Sequence, residues 1–80
     1  MLSYPCRILR QSNRMVVLTV PDVPEAVVVG YSEADALRRA PTILDSILQG
    51  YIAEGRRIPR RSKRRGWPRI PVLRQSLANA

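Results

Sequence analysis

From Tyr4 to Arg10, Cys6 and Ile8 alternate with Arg7 and, at the far end, Arg10. A period of two is that of a half-buried strand, so the pattern predicts one strand over Tyr4–Arg10. Gln11-Ser12-Asn13-Arg14 is a polar turn. Met15–Val20 is rich in β-branched residues and predicts a second strand, paired with the first as an antiparallel hairpin. Pro21-Asp22-Val23-Pro24 ends that strand. Proline has no N–H to give to a ladder, so this stretch is expected to be a turn outside the sheet. The continuous apolar run within Ala26–Tyr31 predicts a third strand, central in the sheet or buried on both faces.

After Ser32 the period changes. Ala36, Leu37, Ala40, Ile43, Leu44, Ile47, Leu48 and Tyr51 recur at helical spacing and predict an apolar stripe laid across the sheet. Ser32 can cap the first turn, with Asp35 three residues on as the reciprocal acid. Gly55 is suited to end the helix in a left-handed conformation. Pro41 interrupts the pattern, removing one hydrogen bond and crowding the preceding turn, which costs ~3 kcal/mol. A kink or break is expected near Arg39–Pro41. Because the stripe stays in phase across the proline, one kinked helix is expected rather than two.

Charge divides the chain. Residues 1–55 carry five arginines and six carboxylates, whereas residues 56–80 carry nine basic groups and no acid. This sets a body over 1–55 apart from a basic segment over 56–80. The stretch Arg56–Gly66 has too few apolar residues to fold by itself. Trp67–Leu73 predicts a short strand on a sheet edge, where prolines are tolerated, and Leu73–Ala80 a turn of helix or a frayed end. The 80 residues allow one small domain, which gains buried area by pairing with another chain. Exposed strand edges point to a homodimer.

Tyr4-Pro5, Val20-Pro21-Asp22-Val23-Pro24, Gly30, Ser32-Glu33-Ala34-Asp35-Ala36-Leu37, Tyr51-Ile52-Ala53-Glu54-Gly55 and Ile58-Pro59 stand in an order and at spacings that resemble the HicB antitoxin family. The resemblance covers residues 4–59. It implies an α+β fold of the partial RNase H type, β-β-β-α-β, with an antiparallel sheet of three to four strands and the helix packed on it. It also implies a partner protein, a small basic RNA-cleaving toxin of the HicA type, which this domain would cover and neutralise. Many members add a C-terminal DNA-binding module, which we expect to be lacking here. Glu25-Ala26 stands where the family usually has a glycine and a small or polar residue.

Catalysis is not expected. An RNase H-type nuclease needs acids on its strands to hold divalent metal, and the predicted strands have none; Asp22 lies in a turn. There is no histidine to activate Cys6, a lone cysteine whose type is usually a core residue. No cofactor or metal is expected, and no apolar run is long enough to span a membrane. A cytoplasmic location follows. The chemistry-bearing feature is the cation cluster of Arg56, Arg57, Arg60, Arg61, Lys63, Arg64, Arg65 and Arg69 around Trp67. Arginines hold phosphate or carboxylate bidentately. Trp67 is suited to stack on a base, to anchor a protein interface or to pack on the sheet. Two alternatives to the antitoxin reading therefore stay open: a small nucleic-acid-binding protein using this segment, and a phage-like inhibitor of a host protein built on the same fold.

Overall fold

The structure is a computed structural model that describes residues 2–73. The polar turn fixes the first hairpin. Gln11 N–H donates to the Met15 carbonyl (2.8 Å), Arg14 N–H donates to that of Gln11 (3.1 Å), and Asn13 Oδ1 accepts from Met15 N–H (3.0 Å). Arg14 takes the left-handed conformation that closes the turn (φ 68°). Strands β2 (Arg7–Arg10) and β3 (Val16–Val20) then pair antiparallel, with Arg7 opposite Thr19 and Arg10 opposite Val16.

The single strand expected over Tyr4–Arg10 is divided. Ser3–Pro5 forms β1, which pairs antiparallel with β5 (Arg69–Pro71) as a separate two-stranded sheet. At Cys6 the backbone changes partner, its N–H donating to the Pro68 carbonyl (2.9 Å).

The third strand also differs from expectation. β4 runs from Val23 to Gly30, so it begins inside the Pro21–Pro24 stretch, and it lies at an edge of the sheet, with β3 central. Pro24 is accommodated because Thr19 faces Val27 while Val20 faces Val23, leaving Pro24, Glu25 and Ala26 in a bulge. An edge strand and a bulge are the two places in a sheet where a missing N–H is tolerated. Nor is β4 buried on both faces. Val23, Ala26, Val28 and Gly30 point to the core, whereas Val27 and Val29 are exposed.

Helix α1 (Glu33–Ala53) passes through Pro41 without a break. Proline removes the N–H that would reach the Leu37 carbonyl, but Ala36, Ala40, Leu44, Leu48 and Tyr51 remain buried on one stripe. That burial on both sides of the proline holds the two halves in register. The helix ends in two reciprocal backbone bonds, Gly55 N–H to the Ile52 carbonyl and Arg56 N–H to that of Tyr51 (2.8 Å), with Gly55 at φ 71°. The core joins β3, β4 and α1 with Tyr4 from β1 and Ile70 from β5; Leu18, Leu44 and Leu48 are among its largest fully buried side chains.

The N-terminal cap is reciprocal. Ser32 Oγ accepts from Asp35 N–H, and Asp35 Oδ2 accepts from Tyr31 N–H, both at 3.0 Å. Asp35 also meets Arg38 (2.7 Å) and Arg39 (3.2 Å). The Tyr31 backbone bond, with the two arginines adding to it, holds the Asp35 carboxyl at about 2. An unfolded aspartate titrates near ~3.9. Its contribution to stability is therefore complete above pH ~4 and is lost as pH falls through the folded value. Thermal melts should show Asp35→Asn losing stability less steeply than the parent between about pH 4 and pH 2. Parallel melting curves across that range would remove Asp35 as the source.

Candidate functional site

The basic segment is fastened to the body by contacts no charge count could show. The buried Tyr4 hydroxyl donates to the Pro59 carbonyl (2.6 Å). Burial pushes the Tyr4 phenol above its ordinary range, while the nearby Arg61 guanidinium opposes that shift. Ser62 donates to Asp22 Oδ2 twice, from its N–H (2.8 Å) and its hydroxyl (2.9 Å). Arg69 donates to the Ser3 hydroxyl and carbonyl, both at 2.7 Å. Ile58 packs against the core, and β5 closes the far end.

These anchors divide the predicted cations. Arg56 lies over the Tyr51 ring, 3.9 Å from its centre, and pairs with Glu25 (3.7 Å) and Glu54 (3.4 Å). Tyr51 donates to both oxygens of Glu25 (2.7 and 2.8 Å), which holds the carboxyl below its ordinary range and the phenol above its own. Arg56 and Arg69 therefore serve the fold, and Arg61 is turned toward Tyr4. Arg57, Arg60, Lys63 and Arg65 are exposed, with no carboxylate in ion-pair range among the described residues. Residues 57, 60 and 63 alternate with the anchored Ile58-Pro59 and Ser62, so the free cations stand on the segment's outer side.

Trp67 is half-buried and sits between two clefts. Gly66, at φ 83°, turns the chain before it, and Trp67 N–H donates to the Arg64 carbonyl (3.1 Å). The Arg64 guanidinium lies over the ring, 4.7 Å from its centre. Lys63, Arg64, Arg65 and Arg69 line one cleft of about 400 Å³ beside Trp67. Cys6, Arg7, Ile8, Glu33 and Pro68 line the other, of about 380 Å³. Cys6 itself is fully buried, and burial pushes its thiol up, away from the reactive thiolate. Arg7 was not expected here. It lies far from the cluster in sequence, and no local signal places it beside Trp67.

The sheet carries a second surface. On the side away from the helix, Leu9, Val17 and Val29 are aligned across β2, β3 and β4, with Arg7, Thr19 and Val27 in the neighbouring row. Leu9 is 41% exposed, Val29 49%, Val27 53% and Tyr31, just beyond β4, 74%. The unbroken run of valines hid this face, because only their alternation in the sheet separates Val28 from its neighbours.

The HicB-like antitoxin family of bacterial toxin–antitoxin systems matches residues 3–67. The chain belongs to that family. No curated protein matches it. The match takes in all five elements from β1 to α1 and the cation cluster as far as Trp67, so residues 56–67 of the basic segment lie within the HicB-like span, whereas Arg69 and β5 lie beyond it. HicB-like antitoxins are generally non-catalytic. Among the described residues of this one, no three His, Cys, Asp or Glu side chains converge to hold a metal, and no helix is long and apolar enough to cross a membrane.

Proposed function

We propose that the chain neutralises a small RNA-cleaving toxin of the HicA type by binding it, with the outer face of β2–β3–β4 as the contact surface. The family match over residues 3–67 carries this reading. The exposed sheet face supports it, since a contiguous apolar patch with polar neighbours is the usual form of a protein-binding surface. Leu9, Val27 and Val29, with the half-buried Val17 between them, supply the apolar area. Residues 1–55, which form this face, hold one more acid than base, and the chain's excess of positive charge lies in residues 56–80. The chain acts by occupying its partner, with no chemical step of its own.

Co-expression with the toxin tests both parts. The parent chain should restore growth and co-purify with the toxin. Val29→Asp places a charge on the exposed part of the patch and should weaken binding by about 30-fold, the effect of losing one interface hot spot, with melting unchanged. Undiminished affinity in this variant would remove the sheet face as the contact. Failure of the parent to bind the toxin or rescue growth would remove the toxin reading itself.

A further inference from the structure

We propose that the outer side of the basic segment binds single-stranded nucleic acid, with phosphates on Arg57, Arg60, Lys63 and Arg65 and a base against Trp67. Three observations converge on it. The four cations are exposed and have no carboxylate partner among the described residues, so an incoming polyanion displaces no internal ion pair. The segment is already held in place through Pro59, Ser62 and Arg69, so binding does not have to order it. Clefts flank Trp67 on two sides, one lined by Lys63 and Arg65 and the other by Arg7 with Glu33, and a base entering beside the ring meets either its aromatic surface or the Arg64 guanidinium that lies over it at 4.7 Å. An acidic polypeptide would satisfy the cations but brings a ring to Trp67 only where an aromatic side chain stands among its acids, whereas every nucleotide carries one beside its phosphate. A duplex keeps its bases stacked on each other, whereas a single strand can offer one to an aromatic side chain. This inference does not depend on the toxin reading, and its test needs no toxin.

Trp67 is the only tryptophan, so its fluorescence reports the site directly. The full chain is titrated with oligouridylate, oligodeoxyuridylate, a DNA duplex and polyglutamate. Both single strands, or one of them, should quench the emission, and the tighter one identifies the preferred sugar. With four phosphates neutralised, log affinity should fall against log salt with a slope of about −3, or roughly 50-fold between about 50 mM and about 200 mM salt. Trp67→Ala, followed by a labelled oligonucleotide, should weaken binding about 10- to 100-fold. The quadruple variant R57Q/R60Q/K63Q/R65Q changes only exposed, unpaired cations; it should keep its melting temperature and lose most of the salt slope. Truncation is not the test, because β5 carries Ile70 into the core. Absence of quenching by either single strand, equal affinity for polyglutamate or for the duplex, or unchanged affinity in the quadruple variant would each overturn the proposal.

Discussion

Gly30→Ala should lower the urea midpoint of unfolding by an amount equivalent to about 2–3 kcal/mol, the upper part of the range for overpacking a tight contact. A Cβ at this position would lie 2.6 Å from the Ala36 nitrogen and 2.9 Å from its Cα. Those atoms belong to the first turn of α1, which the Ser32 and Asp35 bonds hold in place. Backbone so anchored cannot swing aside as the tip of a long side chain can, so either the helix or β4 must move. A domain of this size has only ~4–12 kcal/mol to lose. The same substitution at Gly50 should have the opposite sign. Nothing lies within 4 Å of a Cβ there, and alanine gains about 1 kcal/mol over glycine in a helix interior. Equal midpoints for the two variants would show that the approach of α1 to β4 is not what requires glycine at residue 30.

Leu48→Ala should be at least as damaging, with about 3–4 kcal/mol lost, the usual effect of a large-to-small change that leaves a cavity. Leu48 is fully buried, on the stripe by which α1 meets the sheet. Leu9→Ala removes the same atoms from an exposed position on the outer face and should change the denaturation midpoint little. The pair separates the two faces of the sheet: residue 48 acts on folding, and residue 9 on partner binding. If Leu9→Ala also cost several kcal/mol, the outer face would be structural and the proposed contact surface would have to move.

The elements were legible where one period dominated. Met15–Val20 declares a strand by its β-branched residues, and the stripe from Ala36 to Tyr51 is strong enough to carry the helix through Pro41, which local propensity alone argues against. What escaped was decided by partners distant in sequence. Nothing near Cys6 signals that the backbone there turns from β3 to Pro68, and nothing near Pro24 reveals a bulge that absorbs three residues. Within the cation cluster, the number of basic groups was plain. Their division into anchors and free charges was not, since it depends on Glu25, Asp22, Ser3 and Tyr4, all in the first third of the chain. Burial of both Tyr4 and Ile70 likewise follows only once β1 and β5 are side by side.

That pairing has a consequence for the order of events during synthesis. Ser3 and Arg69, which are bonded to each other, are 66 positions apart. Tyr4 leaves the ribosome early, while Pro59, Pro68 and Ile70 are still to be translated. The β2–β3–β4 hairpins and α1 depend on closer neighbours and can assemble first. Until β5 pairs with β1, the wall of the core that Tyr4 and Ile70 close stays open to water, and β5 is the last in sequence of the described strands. A partner that needs the finished surface around Trp67 has no site to bind until β1 and β5 have paired.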